Sequence, residues 1–211
     1  MASPSVIPLR ADAERNRRRI LAAARTLFSE RGLDVGVDEI ARAAGVGMGT
    51  LYRRFPTKDD LVVATVQERL ELLITEIERV SGGPDAWESL AAALHALGHR
   101  IAEDRGFFDA VHDRLKQGGR MHALRDGVLG ALQPLLERAQ AEGVVREDVV
   151  VRDLTLLVMS VARQPALHAA RQPLLWRRYL AIVLDGLRPV AATPLPEPPP
   201  DAPVSGPPPA A

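Results

Sequence analysis

Residues 38–55 read DEIARAAGVGMGTLYRRF, and this stretch decides the architecture. Asp38 suits the beginning of a short helix that carries Ile40 and Ala44 on its apolar side. Ala41 lies four residues before Gly45, and its small side chain lets a second helix cross closely. Gly45 accepts the left-handed turn conformation that a Cβ penalises. Val46 and Leu51 then anchor a second short helix on the first. Two short helices joined by a tight glycine turn make a helix-turn-helix. The second helix exposes Met48, Gly49, Thr50, Tyr52, Arg53 and Arg54, a set suited to nucleic acid. Arginines meet phosphates, Thr and Tyr hydroxyls bond phosphates or base edges, and glycines let the backbone approach closely. Lys58 opens the next helix, where free backbone N–H groups already favour an anion.

The surrounding charge agrees with this reading. The whole chain is neutral, with 27 Lys plus Arg against 27 Asp plus Glu. Between Arg10 and Lys58, however, eleven basic residues face six acidic ones, a net of +5. Local asymmetry of this kind suits a polyanionic partner, although a solvated basic surface would look the same by charge alone. The run Gly45-Val46-Gly47-Met48-Gly49 also invites comparison with a phosphate-cradling loop. It follows a helix rather than a strand and lacks the Gly-Lys-Ser/Thr ending, so a nucleotide site is not expected.

On either side the apolar period is helical. Ile20, Leu21, Ala24, Leu27 and Phe28 form one stripe, and Gly32 is the stop. Thr57 with Asp60 is an N-cap followed by an acidic N3 residue, directly after Pro56. A long helix follows until Ser81-Gly82-Gly83-Pro84. Further stripes run through Trp87, Leu90, Ala91, Leu94, Leu97 and Ile101, and through Leu124, Val128, Leu132, Leu135 and Leu136. Pro134 is expected to kink or restart the latter helix. Leu154 to Val161 and Leu174 to Leu187 are apolar nearly all round. No segment alternates as a strand, so the expected fold class is all-α.

Composition narrows the chemistry. Hydrophobic residues are 46% and aromatics 4%, so a core of mainly Ala, Leu and Val is expected. The chain has no Cys, which excludes disulfides, thiolate nucleophiles and Cys-ligated zinc and favours a cytoplasmic location. His95 and His99 stand at i, i+4, a geometry that suits a metal pair, yet no third ligand completes it. His112-Asp113 lacks a nucleophile. No enzyme, cofactor or metal site is expected, and no stretch is long and apolar enough to span a membrane. Ten prolines lie from Pro189 onward, which predicts a disordered, partly polyproline-like tail.

Ile20 to Leu61, carried by the segments RRILAAARTLFSERG (from Arg18), DEIARAAGV and GTLYRRFPTKDDL, resembles the DNA-binding head of the tetracycline-repressor (TetR) family of bacterial transcriptional regulators. It looks closest to actinobacterial members. The resemblance implies an N-terminal three-helix head and a C-terminal helical ligand-binding and dimerisation domain. Its implied partners are a palindromic double-stranded DNA operator, a small-molecule effector and a second copy of the chain. The expected divisions are a flexible arm at 1–14, the helix-turn-helix at 15–60, the regulatory domain at 61–188 and the tail at 189–211. The expected DNA face is Arg42, Gly47, Met48, Gly49, Thr50, Tyr52, Arg53, Arg54 and Lys58, with Arg15 to Arg19 approaching from the arm. The resemblance puts an effector pocket among the middle helices, with candidates Leu73, Trp87, Leu94, His95, Gly98, His99, Phe107, Phe108, His112 and Met121. Surplus apolar surface on the last two helices points to a dimer interface of Leu157, Val161, Trp176, Leu180, Val183, Leu184 and Leu187. Two positions depart from the family pattern. Gly36-Val37 replaces a capping hydroxyl residue, and Gly47-Met48 replaces a polar pair, so Met48 would read shape or a thymine methyl. The competing functions are a helical interaction protein with a vestigial head, and an activator with no small-molecule effector.

Overall fold

The structure is a computed structural model that describes residues 8–103, 120–163, 171–190 and 192–200; side chains are described from residue 11, and not for 120–125. The described residues form α1 (Pro8–Arg31), α2 (Val37–Ala44), α3 (Met48–Arg54), α4 (Lys58–Ser81), α5 (Ala86–Glu103), α6 (Arg120–Ala141), α7 (Val151–Ala162) and α8 (Leu175–Gly186). No strand occurs among them. The chain divides into two compact units. One comprises Met1–Leu72 with Asp104–Leu124, the other Leu73–Glu103 with Arg125–Ala211.

The first unit is built on the stripe legible in the sequence. Ile20, Leu21, Ala24 and Phe28 of α1 close against Ile40, Ala41 and Ala44 of α2, Leu51 and Phe55, and Leu61, Val62 and Val66 of α4. The Thr57 cap is reciprocal: the Asp60 amide donates to Thr57 Oγ1 at 3.1 Å, and the Thr57 amide donates to the Asp60 carboxylate at 3.1 Å. One buried group was invisible to periodicity. Arg69 is buried, and its guanidinium donates to the Arg25 carbonyl at 3.3 Å and to Ser29 Oγ at 2.8 Å. It thereby ties α4 to α1.

In the second unit α5 packs on α7 and α8, which also pack on each other. Gly98 of α5 is a point of close approach. A Cβ there would lie 2.7 Å from Trp176 Cζ3 and 3.4 Å from Val158 Cγ1. Arg138 of α6 donates to the carbonyls of Ser81 at 2.9 Å and Asp85 at 3.2 Å, fastening the turn between α4 and α5.

Four expectations change. The helix does not restart at Pro134, which lies on its exposed side, where water can satisfy the freed carbonyl. The arm expected to reach residue 14 is helical from Pro8. A division at 60/61 falls inside α4, whose residues up to Leu72 belong to the first unit. The tail expected from residue 189 is held at its beginning. Arg146 forms a paired contact with Asp148 at 2.6 and 2.7 Å and donates to the Thr193 carbonyl, while the Leu195 amide reaches Asp148 at 3.4 Å. The Arg146 guanidinium holds the Asp148 carboxyl down to about 2. Residues 201–211 of the expected tail lie outside the described residues.

Candidate nucleic-acid interface

The turn between α2 and α3 depends on one backbone angle. Gly45 has φ 62° and ψ 39°, the left-handed region. Its amide donates to the Arg42 carbonyl at 3.1 Å, and the Val46 amide to the Ala41 carbonyl at 3.0 Å. Arg19 of α1 donates from Nη2 to the Gly45 carbonyl at 3.2 Å, so the basic end of α1 is fastened beside the start of α3.

On α3 only Leu51 is buried, and it locks the helix onto the core. The remaining side chains are available to a partner. Met48 is 38% exposed and Tyr52 46%; Arg53 and Arg54 are exposed; Thr50 and Lys58 are half-buried. Met48 and Tyr52 are one helical turn apart and share a face. Gly47 and Gly49 are exposed, with nothing near the place a side chain would occupy. Arg42 is exposed and pairs with Asp38 at 3.4 Å. Arg53, Arg54 and Lys58 have no ion-pair partner among the described residues, so their charge is uncompensated. Gly36 precedes α2 with no side-chain cap, in line with the departure noted in the sequence.

The basic run before Ile20 is different from the expected flexible arm. Arg15 pairs with Asp12 at 3.1 Å and Arg18 with Glu14 at 3.5 Å along α1, while Arg19 is occupied at Gly45.

In the second unit the structure places several of the candidate pocket residues. Leu73 and Leu94 are buried. Trp87 is half-buried beneath the Arg188 guanidinium, 3.4 Å from its ring centroid. His95 and His99 flank Trp176, at centroid distances of 6.2 and 6.4 Å. The space beside Gly98 is occupied by Trp176. Phe107, Phe108 and His112 lie outside the described residues, as does the side chain of Met121. Burial, and then the charge of Arg177, lowers the His95 pKa below 6.5. The unfolded chain therefore takes up a proton that the folded chain resists. This contribution to stability is intact above pH 6.5 and is lost as pH falls through the folded value. His95→Gln is expected to flatten the fall in melting temperature between about pH 7 and 5; an unchanged pH profile would exclude this role.

The expected dimer residues need revision. Trp176, Leu180, Leu184 and Leu187 are buried in the chain's own core, because this stripe of α8 faces α5 and α7. Val161 and Val183 are half-buried. The exposed apolar side chains are Leu156 and Leu157 on α7 and Tyr179 and Ile182 on α8. The sequence signal for them was surplus: α8 is apolar on more than one face.

A short, exposed basic helix seated by one buried leucine on a three-helix core is the arrangement of a helix-turn-helix transcriptional regulator, not of an enzyme. The profile of bacterial regulatory proteins of the tetR family matches residues 20–65, and that of the SbtR-like transcriptional regulator C-terminal domain matches residues 85–189. A TetR regulator from Streptomyces coelicolor is 34% identical, with a TM-score of 0.64, and covers 83% of this chain and 99% of its own. One from Mycobacterium vanbaalenii is 35% identical, with a TM-score of 0.62, covering 86% and 99%. An HTH-type transcriptional regulator of Staphylococcus aureus is 41% identical over 73 residues, 34% of this chain and 40% of that protein's length. The chain belongs to the TetR family of bacterial regulatory proteins.

Proposed function

We propose that the chain is a cytoplasmic, homodimeric transcriptional repressor that leaves a palindromic operator when a small molecule binds among its middle helices. The observation that carries the DNA-binding part is α3: it is fixed by Leu51 alone and otherwise presents Met48, Tyr52, Arg53 and Arg54 outward. In this reading α3 lies in the major groove, with Thr50 and Arg53 at base edges or phosphates. Tyr52, Lys58 and Arg54 act on phosphates, and Arg15 to Arg18 follow the flanking backbone. Two heads about one turn apart, roughly 34–36 Å, match a twofold protein to a twofold site. The exposed Leu156, Leu157, Tyr179 and Ile182 supply the self-complementary surface. The Streptomyces and Mycobacterium matches support actinobacterial kinship.

Effector control follows if the ligand favours one head spacing over another, since a ligand with equal affinity for both shifts nothing. α4 contributes residues to both units and is the element through which such a preference would reach the head. The candidates remain Leu73, Trp87, Leu94, His95 and His99 among the described residues, with Phe107, Phe108, His112 and Met121.

Operator selection with the purified full chain tests the reading, followed by titration of a Tyr52→Ala, Lys58→Ala variant. Affinity is expected to fall at least tenfold, and the slope of log affinity against log salt to shallow by about one unit for each phosphate no longer neutralised. Removal of residues 1–12 should reduce affinity without unfolding the protein. A folded double variant with wild-type operator affinity would sink the assignment.

A further inference from the structure

The outward face of α3 is unusual in its chemistry. Its first residue is Met48, flanked by two exposed glycines whose would-be side-chain positions are empty. The first polar side chain along the helix, Thr50, is only half-exposed. One turn on from Met48 stands Tyr52, so the exposed face begins as an apolar strip of thioether and ring. Such a strip left in water gains nothing, and Met48 has no hydrogen-bond donor and only a weakly accepting thioether to offer a base edge. In the major groove the one apolar feature that distinguishes a base pair is the C5-methyl group of thymine. Met is unbranched and polarizable, so it adapts to a methyl at the groove floor. The bare backbone at Gly47 and Gly49 leaves that approach clear of neighbouring side chains.

Resting on the assignment of α3 as the helix that enters the groove, we propose that Met48 selects the operator by packing on a thymine methyl in each half-site. Arg53 and Arg54 supply attraction to any duplex, while Met48 makes the sequence distinction at its position by apolar contact. The consequence is a site whose preference at one position per half-site is for T over C through the methyl, and whose loss on removing that methyl is independent of salt.

The test uses the full chain and its selected operator, with each dT replaced in turn by dU, which removes the methyl and leaves the pairing edge intact. Wild type is expected to lose about fourfold in affinity at one position of each half-site, the worth of one buried methyl, and more when both half-sites are changed. Met48→Ala should bind the dT and dU operators equally. Met48→Leu should keep the discrimination. Both variants should fold, since Met48 is not part of the core. The proposal is overturned if no dT→dU position matters to wild type, or if the penalty survives in Met48→Ala. It is also overturned if Met48→Ala weakens all sequences alike. Absence of any sequence-selected binding would instead defeat the functional assignment on which the proposal rests.

Discussion

A chain carrying Leu157→Glu together with Ile182→Asp is expected to sediment as a monomer and to lose roughly a hundredfold or more in operator affinity, because two linked heads bind far more tightly than one. Its helical content should be unchanged. Ile182 is 59% exposed and Leu157 39%, so neither charge enters the chain's own core. In a dimer built on this surface both would be desolvated without a partner, which costs several kcal/mol. The choice of residues matters. Leu180 is fully buried, so a charge there would unfold the second unit and say nothing about association. Analytical ultracentrifugation and fluorescence anisotropy on a labelled operator make the measurement. A wild-type chain that stays monomeric at all concentrations and still binds a palindrome tightly would refute the interface and the twofold reading together.

The second large effect is expected at Gly98, where alanine should cost about 2–3 kcal/mol and lower the melting temperature by roughly 10 °C. The added Cβ would stand 2.7 and 3.1 Å from two carbons of the Trp176 ring. That ring is 2% exposed and cannot swing into solvent, and Val158 of α7 crowds the same spot. The helices must part or the ring must move, and either loses packing. Trp176→Leu alone should destabilise by leaving a void. Combined with Gly98→Ala it should cost less than the sum, since the smaller side chain makes room for the new methyl. Additive losses in a double-mutant cycle, measured by thermal and urea denaturation, would show that the two residues do not meet at this point.

Much of the head was legible because its determinants are short-range. Gly45 must adopt a left-handed angle, Leu51 must turn inward, and Thr57 with Asp60 must cap α4; each follows from residues within a few positions. The stripe from Ile20 to Phe28 is of the same kind, and all of its fully buried members lie on one side of α1. The exposed side chains of α3 followed as the complement of that pattern. Whether the middle helices enclose a pocket was not legible, since apolar and imidazole residues at helical spacing suit a core as well as a cavity.

What the sequence determined by itself is the all-helical class, the turn, the Thr57 cap and which side of α3 stays exposed, for these rest on backbone geometry and periodicity within one or two turns. Tertiary structure decided the rest. It chose Trp176, Leu180, Leu184 and Leu187 as the inward stripe of α8 and left Tyr179 and Ile182 outside. It buried Arg69 against Arg25 and Ser29, forty or more positions away. It engaged Arg19 at the Gly45 carbonyl and drew Thr193 and Leu195 to the Arg146–Asp148 pair. Each of these outcomes depends on which distant group arrives opposite a side chain, and a helix with two apolar faces, or an arginine with five donors, carries no local preference among the partners it could meet.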